Sequence, residues 1–407
     1  MKNRVYIVDV TNRDGVQTSQ ICLSKLQKTM LNIYLNEMGI HQSEMGFPAT
    51  PHETNYINVN MELAKRGVLR PMILTGWVRA LRKDIELATS RTEIKDLNIS
   101  ISTSKQMIKG KLEATEEVVI ENMTGAVDLA KDRGIRTIGV NAEDASRTDM
   151  DFLIRFAQAA KDRGANRIRY CDTLGYDTPF SIYERIYTLG KEIKLPVEMH
   201  CHNDLGMAVA CSIAGAKGAL DAGVDAYINT TVNGIGERAG NADLVSVILT
   251  FKHGRGMQDY ELAGGIDLKM VWEVSKYASY AFDIPIPINQ PGVGANAFAH
   301  ESGIHADGAL KDRRNYELYD FEDLGRGEPE IVETGRSITV GEYSGVKGFR
   351  NVYEKLEIEF KSEEEARKIL ELVRYANIHN QKPLTNRELH FIASYPEIAR
   401  KLFSMEP

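Results

Sequence analysis

The chain has 407 residues, of which 43% are hydrophobic and 26% charged, so it is long enough for one large folded domain and a smaller one. Its formal net charge is −7, and its 50 basic residues are spread along the chain, which argues against binding to nucleic acid. Residues 1–9 turn acidic before an apolar signal core could form, and no apolar run approaches the ~18 to 20 residues that span a bilayer. We therefore expect a cytoplasmic protein without membrane association.

Short β-branched or apolar runs alternate with longer segments of helical periodicity up to about residue 255. The helical segments show apolar spacings of three and four, and several end at a glycine. Eight strand-helix units in this length predict an α/β fold, a (β/α)8 TIM barrel, whose chemistry lies on the loops after the strands. The predicted strands are residues 5–10, 41–46, 70–75, 97–102, 135–140, 167–172, 196–200 and 225–230.

The pattern changes towards the C-terminus. The segment IPIPINQPGVG at 284–294 is rich in proline and glycine and predicts a boundary near residue 285. A polar, glycine-containing stretch and then helical patterns at 345–380 and 385–404 follow, so we expect a mostly helical appendage. The expected parts are a catalytic barrel over 1–285, a linking subdomain over 286–345 and a small helical subdomain over 346–407.

Two histidines and an aspartate are the strongest candidates for a metal site. His200 and His202 are two residues apart at the end of the seventh predicted strand, so both side chains face the barrel mouth. Two such histidines alone more often hydrogen-bond their surroundings. Asp14 follows the first strand and adds a hard oxygen ligand at the same end. Two imidazoles and a carboxylate leave open positions on a divalent ion, where the carbonyl and adjacent carboxylate of a substrate could chelate.

The cysteine between those histidines and the loop after the eighth strand each allow two interpretations. Cys201 could be a soft ligand, but in a strand it points away from both histidines, which favours a small core residue. In NGIGERAGN at 233–241, Asn241 could offer an amide oxygen to a metal or could cap a helix N-terminus, and the stretch alone favours neither. The four cysteines form no CxxC pair, which suits a reducing compartment.

Seven ordered segments together resemble the DRE-TIM metallolyases. More narrowly, they are similar to the acyl-CoA Claisen-condensing branch, which includes isopropylmalate, homocitrate and Re-type citrate synthases. The resemblance covers about residues 4–350, and its last two segments separate this branch from lyases and aldolases that share only the barrel and the metal site. The segments are DVTNRDGVQ (9–17), EMGFP (44–48), NAEDASRT (141–148), CDTLGY (171–176), HCHNDLGMA (200–208), NGIGERAGN (233–241) and FAHESGIHADG (298–308).

The resemblance implies a divalent metal, which could be Mn, Mg, Co or Zn, bound by Asp14, His200 and His202 with Asn241 as a further ligand. It implies that Arg13 stabilises the developing enolate and carbonyl oxygen, a role that suits its fixed positive charge. Without the motif, we would interpret Arg13 as the partner of a carboxylate at the barrel rim.

The resemblance also implies that Glu143 and His305 form an acid-base pair, which takes a proton from the methyl group of acetyl-CoA and protonates the new alkoxide. His305 lies beyond the predicted barrel, so the appendage must reach a barrel mouth, and the family does this in a domain-swapped homodimer. The resemblance implies that Thr173 binds the carboxylate of the 2-oxo acid. The predicted substrate-binding residues are Arg13, Gln17, Thr173, Tyr343 and Ser344. An ordinary turn accounts for Tyr343 and Ser344 equally well.

Four departures from the related sequences concern the 2-oxo acid. Asn12 and Val16 replace a leucine and a glutamate of the isopropylmalate synthase motif, and Asn98 replaces a histidine. Gly139 stands where homocitrate synthases carry an arginine, which argues against 2-oxoglutarate. An uncharged Val16 reduces repulsion near a dianion. We therefore expect oxaloacetate as the substrate and citrate and CoA as products, with isopropylmalate or homocitrate synthase as the alternatives.

Two other classes of function share some of these residues. A metabolite-binding barrel without turnover would be favoured if Arg13, Glu143 or His305 were missing, and all three are present. A non-haem iron oxygenase also uses two histidines and a carboxylate, but GIGERAGN and SGIH would have no role in it. The interval from His202 to Asn241 is longer than in isopropylmalate synthases, which argues against a ligand role for Asn241. The chain ends at residue 407 without room for the added C-terminal domain of many isopropylmalate synthases, so leucine feedback is not expected.

Overall fold

Eight parallel strands close into a barrel in the computed structural model, which describes residues 4–257, 259–328 and 339–404. Each strand pairs with the next along the chain, and β1 pairs with both β2 and β8, so the predicted barrel is confirmed. The strands are β1 (Arg4–Asp9), β2 (Gln42–Gly46), β3 (Ile73–Arg79), β4 (Asp96–Ser102), β5 (Thr137–Glu143), β6 (Arg167–Asp172), β7 (Val197–Cys201) and β8 (Ala226–Thr230). A two-residue strand, β9 (Glu261–Leu262), adds to β1 outside the barrel.

All eight predicted strands are present, but β3 and β5 end later than predicted. β3 continues through Gly76 to Arg79, and β5 continues through Asn141 to Glu143. In a sequence, a glycine or a polar residue is typical of a strand end. Inside this barrel, however, polar side chains are common on the strands. Glu143 is therefore the last residue of a strand and not a loop residue.

In the part of the chain that the structure describes, ten α-helices surround the barrel, and side chains cap the start of several of them. Ser24 and Gln27 form a reciprocal capping box at the first helix, and Thr178 caps the seventh before Pro179. The helices are α1 (Lys25–Glu37), α2 (Thr54–Lys65), α3 (Arg82–Arg91), α4 (Lys105–Gly110), α5 (Glu116–Asp132), α6 (Met150–Asp162), α7 (Pro179–Ile193), α8 (Ala208–Asp221), α9 (Leu244–His253) and α10 (Val271–Phe282).

The C-terminal part is helical, as predicted, but each long helical pattern contains two helices. The described helices are α11 (Gly303–Lys311), α12 (Val346–Lys355), α13 (Glu363–Asn380), α14 (Asn386–Ser394) and α15 (Pro396–Phe403). Pro396 separates the last two, because a proline is favourable at the start of a helix and unfavourable inside one. The boundaries at 285 and 345 stay a prediction.

Helix α14 anchors the appendage to the outside of the chain's own barrel. Tyr277 of α10 donates a hydrogen bond of 2.9 Å to Glu388. The Arg387 guanidinium lies 4.1 Å from the ring of Tyr34 and forms an ion pair with Glu273. Among the described residues, no helix is long and apolar enough to cross a membrane.

The interior of the barrel is polar and charged, whereas the layer between strands and helices is apolar. Five interior side chains from different strands contact one another and are at most 1% exposed: Glu44, Asn98, Arg169, Glu198 and Asn229. Burying charges is costly unless they pair and their hydrogen bonds are made. These five side chains therefore stabilise one another by pairing. They lie beneath the barrel mouth, and we call them the charged floor.

Asp9 at the end of β1 makes the stability depend on pH. Burial raises its pKa to about 7, although the backbone N–H and the hydroxyl of Thr11 both donate to it and lower the pKa. When folding raises the pKa of a carboxyl group, the protein loses stability as the pH rises from the unfolded pKa of that group to its folded pKa. We expect Asp9→Asn to gain stability relative to the wild type between about pH 4 and pH 7, by a few kcal/mol in all, with a constant difference above pH 7. Urea denaturation of both proteins across this range would test it, and a difference that does not change with pH would contradict it.

Candidate active site at the carboxyl ends of the strands

Asp14, His200 and His202 converge at the barrel mouth. His200 belongs to β7, His202 directly follows it, and Asp14 lies in the loop after β1. All three are buried, and one potential ligand atom of each lies within 4.8 Å of the others. The imidazole rings are nearly perpendicular, with centroids 5.0 Å apart. The structure thus brings the three predicted metal ligands together, while Cys201 between them lies in the apolar core.

The donor set fits a divalent cation. Nδ1 of His200 and Nδ1 of His202 are buried without a hydrogen-bond partner among the described residues. Burial lowers the pKa of both imidazoles and so favours the neutral form that binds metals. Burial raises the pKa of Asp14, but the Arg13 cation beside it lowers the pKa below its usual value, which keeps this carboxylate ionised. Two neutral imidazoles and one carboxylate suit a transition metal better than an all-oxygen site would.

Asn241 lies against the same cluster. An antiparallel bridge pairs it with His202, and its Nδ2 donates a hydrogen bond of 2.5 Å to Asp14. Its Oδ1 is buried without a partner among the described residues. A Cβ at Gly236 would lie 2.0 Å from the Asn241 amide, so only glycine allows this approach. The helix-cap alternative for Asn241 is wrong, because Asp243 caps α9.

Arg13 is 6% exposed and lies between two carboxylates. Its Nη1 is 2.7 Å from Asp14 and its Nε is 2.6 Å from Glu44. These contacts to described residues use Nε and Nη1 and leave out Nη2. The pairing is not an exposed ion pair at the rim, since Glu44 is fully buried. Two fixed contacts leave one edge of the guanidinium available to a ligand.

The loops after β5, β6, β7 and β8 are tied together around Thr173. Its hydroxyl accepts a hydrogen bond of 2.8 Å from the backbone N–H of Asp144, and its carbonyl accepts one of 2.6 Å from Arg238. Arg238 also forms a two-pronged ion pair with Asp204. Because the Thr173 hydroxyl accepts this hydrogen bond, its own hydrogen stays available for donation.

Glu143 and His305 do not meet within one chain. Lys111 Nζ lies 2.7 Å from both carboxylate oxygens of Glu143, and the Ser102 hydroxyl donates a further hydrogen bond. His305 is exposed on α11, and its ring stacks on Tyr316 at 4.3 Å. In the described residues the Glu143 carboxylate contacts Lys111 and Ser102, and the His305 ring contacts Tyr316, so the acid-base pair stays a prediction.

The remaining predicted substrate contacts are less well placed. Gln17 is exposed at the end of a short 3₁₀ turn after β1. Tyr343 is 91% exposed, and the Ser344 hydroxyl accepts a hydrogen bond of 2.8 Å from the Gly341 N–H. Arg374 of α13 donates to the Ser344 carbonyl. The contact of the Ser344 hydroxyl with Gly341 fits the turn interpretation, and a substrate role for Tyr343 and Ser344 stays a prediction.

One of the four sequence departures, Asn12, points away from the mouth. Asn12 donates hydrogen bonds of 2.9 Å to the Lys28 carbonyl and to Asn32, so its side chain points to α1. Val16 is half-buried against the apolar core. The expectation that Asn12 bears on substrate choice is not supported by this orientation.

Gly139 and Asn98 form one feature of the interior. A Cβ at Gly139 would lie 2.0 Å from Asn98 Oδ1, and Asn98 Nδ2 donates a hydrogen bond of 2.5 Å to Glu44. The space left by the missing side chain is thus filled by Asn98. Any larger residue at 139 must displace that amide and disturb the charged floor.

We expect Gly139→Ala to lower the free energy of unfolding by about 1 to 3 kcal/mol, since the added methyl overpacks a buried polar contact. Gly125→Ala is the matched control, because its Cβ would meet nothing within 4 Å and alanine is favoured over glycine inside α5. Urea denaturation of both variants provides the measurement. Equal stabilities of the two variants would contradict the packing argument.

The fold and the site define a (β/α)8-barrel protein with a candidate centre for a divalent metal. The HMGL-like family model matches residues 4–277, and the model for the homocitrate synthase post-HMGL domain-like region matches residues 293–380. The chain belongs to the HMGL-like family.

Curated relatives match the chain over nearly its whole length. It is 57% identical to the citrate (Re)-synthase of Dehalococcoides mccartyi, over 99% of both chains. It is 40% identical to 2-isopropylmalate synthase 2 of Caldanaerobacter subterraneus subsp. tengcongensis, over 95% of this chain and 94% of that one. It is 34% identical to homocitrate synthase 1 of Nostoc sp., over 95% and 96%.

A solved structure confirms the fold alone. The hydroxymethylglutaryl-CoA lyase of Pseudomonas aeruginosa has a TM-score of 0.57 and is 16% identical. The similarity covers 70% of this chain and 96% of that one.

Sequence patterns did not reveal the partners of the predicted residues. Lys111 and Ser102 at Glu143, and Arg238 at Thr173, were assigned no role. The charged floor had a detectable signal, because RIRYCD and VEMHC place charged or ligating residues at every second position of a strand. That alternation within a barrel places Arg169 and Glu198 on the inner face, beneath the histidines.

Proposed function

We propose that the chain condenses acetyl-CoA with oxaloacetate to give citrate and CoA. The observation that supports this most is the combination of the buried Asp14, His200 and His202 cluster with 57% identity, over 99% of both chains, to a protein named citrate (Re)-synthase. The relatives named isopropylmalate and homocitrate synthase are more distant, at 40% and 34% identity. Their reactions are the alternatives.

The electrophile is the 2-oxo acid, held beside the cluster. A divalent metal bound by Asp14, His200 and His202, with Asn241 as a further ligand, would chelate the 2-oxo acid and polarise its carbonyl. Arg13 points the free edge of its guanidinium towards the developing negative charge, and Thr173 donates its hydroxyl hydrogen to the carboxylate. These residues act from fixed positions, so little reorganisation is needed when the substrate binds.

The nucleophile is the methyl carbon of acetyl-CoA. Glu143 and the partner subunit's His305 form the acid-base pair that removes a methyl proton and protonates the new alkoxide. A domain-swapped homodimer is supported by the exposure of α11, where Ile304 is 76% and Leu310 88% exposed. In the same arrangement, Gln17 contacts substrate from the barrel, and Tyr343 and Ser344 from the appendage. Hydrolysis of the thioester then releases citrate and CoA.

The interior of the barrel argues against 2-oxoglutarate. Homocitrate synthases carry an arginine at the position of Gly139, and here Asn98 fills that space. A non-catalytic metabolite-binding barrel would have no use for Arg13, Glu143 and His305, all of which are retained. A catalytic function therefore explains the presence of these three residues, and a function in binding alone does not.

The test is a thiol-release assay with acetyl-CoA and each of four acceptors: oxaloacetate, 2-oxoisovalerate, 2-oxoglutarate and pyruvate. We expect turnover with oxaloacetate and loss of turnover after chelation of the metal. Adding back Mn, Mg, Co or Zn separately ranks the metals. Turnover with 2-oxoisovalerate only would contradict the citrate proposal and support the isopropylmalate alternative.

A further inference from the structure

Arg185 of helix α7 holds the loop that follows β5 from the helix side of the barrel. Its Nη2 donates hydrogen bonds of 2.8 Å to the Ala145 carbonyl and of 2.6 Å to the Thr148 carbonyl. Its Nε donates one of 2.7 Å to the Tyr170 hydroxyl. A guanidinium has several donors in one rigid plane, which suits contacts with several acceptors at once. One half-buried side chain thus joins the loop after β5 to strand β6.

Tyr170 fixes the position of that guanidinium. Its ring is fully buried and lies on the helix side of β6, since the neighbouring Arg169 faces the charged floor. The Tyr170 hydroxyl donates a hydrogen bond of 2.7 Å to one carboxylate oxygen of Asp177, and the Ser181 hydroxyl donates one of 2.8 Å to the other. The phenol therefore accepts from Arg185 and donates to a carboxylate that is itself held in place.

The loop that Arg185 holds has an unfavourable backbone conformation. Asp144 has a φ of 62° and a ψ of 37°, in the left-handed region that residues with a side chain seldom adopt. The 3₁₀ turn Ala145–Arg147 follows directly. Arg147 and Ser104 contact the Asp144 carboxylate, whereas Arg185 contacts backbone carbonyls. The guanidinium therefore stabilises the turn itself.

This loop lies between two groups of the proposed reaction. Glu143, the proposed base, directly precedes Asp144 in the chain. The backbone N–H of Asp144 donates a hydrogen bond of 2.8 Å to the Thr173 hydroxyl, which is proposed to bind the carboxylate of the 2-oxo acid. A change in the backbone at Asp144 would therefore displace both groups together.

We propose that Arg185 is a positioning residue for the condensation, an inference that rests on the function proposed above. By holding the backbone of the loop after β5, it keeps the Glu143 carboxylate and the Thr173 hydroxyl in their reactive orientations. A displacement of about 1 Å at a reacting group can lower a rate by about a hundredfold. Loss of Arg185 should therefore affect the rate and the binding of the 2-oxo acid, and affect the binding of acetyl-CoA much less.

Thiol-release kinetics of the metal-loaded enzyme test this role with Arg185→Met. We expect kcat to fall by about tenfold or more and the KM for the 2-oxo acid to rise by about fivefold, because Thr173 is displaced. The KM for acetyl-CoA should stay within about twofold. Arg155→Met is the matched control, since Arg155 of α6 forms an exposed ion pair with Glu116 and should keep the wild-type constants.

Hydrogen exchange measured by mass spectrometry reports on the loop without turnover. The backbone N–H groups of Asp144, Arg147 and Thr148 donate hydrogen bonds to the loop backbone or to the β6 loop. Local opening of the loop exposes these amides to solvent. We expect their exchange to be about tenfold faster in Arg185→Met and unchanged in Arg155→Met.

Arg185→Lys keeps the positive charge but has one nitrogen in place of the two that make the contacts. We expect it to have a melting temperature near that of the wild type and a kcat at least about threefold lower. It also decides the question if Arg185→Met does not fold. Wild-type kinetics in Arg185→Lys would then overturn the positioning role.

The outcomes distinguish the role of Arg185 from the proposed function. If a folded Arg185→Met has a lower melting temperature but wild-type kcat and KM, the arginine is merely structural and the positioning role is overturned, although the condensation stands. An equal change in Arg155→Met would overturn it as well. If the wild type turns over none of the four acceptors, both proposals fail. A far-UV spectrum of each variant confirms that it has folded.

Discussion

Replacing His200 by alanine is expected to abolish metal binding at the mouth and to lower turnover by about a thousandfold or more. Loss of one imidazole leaves His202 and Asp14, too few protein ligands to hold a divalent ion firmly in a buried site. A metal acting as a Lewis acid contributes several kcal/mol to the transition state, and about 1.4 kcal/mol corresponds to a tenfold change in rate. Metal content after dialysis and thiol release are the two measurements.

The control for this variant is His390→Ala, an exposed histidine of α14 far along the chain from the cluster. It should keep both metal and activity. Thermal melting with and without added metal gives a further readout, because a ligand that binds only the folded state stabilises it by about 2.7 kcal/mol at a hundred times its Kd. We expect this stabilisation in the wild type and in His390→Ala. Full metal occupancy in His200→Ala would contradict the assignment.

The fold was predictable because the strands are dense in β-branched and apolar residues at regular intervals. The ends of β3 and β5 were not, since Gly76 and Asn141 resemble strand terminators although they lie within a closed sheet. Tertiary context overrides such local signals. The last predicted helical segment contains two helices, and the local signal for this division is Pro396. Proline is favourable at the start of a helix and unfavourable inside one.

The candidate site was predictable to the extent that its residues belong to contiguous motifs. The ligand geometry of Asp14, His200 and His202 follows from strand order, because carboxyl ends of parallel strands meet at one end of a barrel. The contact between Lys111 and Glu143 joins two segments with no shared motif, so no local pattern indicates it. In the proposed homodimer, the position of His305 would depend on the surface of another copy, and no local pattern in the sequence indicates that surface.

Glu44 is the residue whose loss is expected to cost the most stability. Its carboxylate is fully buried and contacts Arg13 at 2.6 Å and Arg169 at 2.6 Å, with Asn98 as a third partner. Burial raises its pKa, but Arg169 and Arg13 lower it below its usual value, so it is ionised at neutral pH. Glu44→Gln keeps the shape and leaves two buried guanidinium groups with one fewer negative charge.

We expect Glu44→Gln to lower the free energy of unfolding by about 3 to 5 kcal/mol, which is typical when one partner of a buried ion pair is removed. Turnover should fall by about a hundredfold, because Arg13 loses the contact that fixes its Nε. Glu93→Gln is the control. Its ion pair with Lys65 is more than half exposed, and its loss should cost less than about 1 kcal/mol.

The pH dependence and a double variant test whether the stability lost in Glu44→Gln is due to the missing negative charge. A carboxyl group with a lowered folded pKa contributes stability above its unfolded pKa and loses it as the pH falls through the folded value. The difference between the wild type and Glu44→Gln should therefore narrow below about pH 4.5. Adding Arg169→Met should recover part of the lost stability, since it removes an unpaired cation, but not the lost turnover, since Arg13 stays unsupported. If the two substitutions were additive in stability, the charged floor would not act as a unit, and Glu44 would contribute by packing alone.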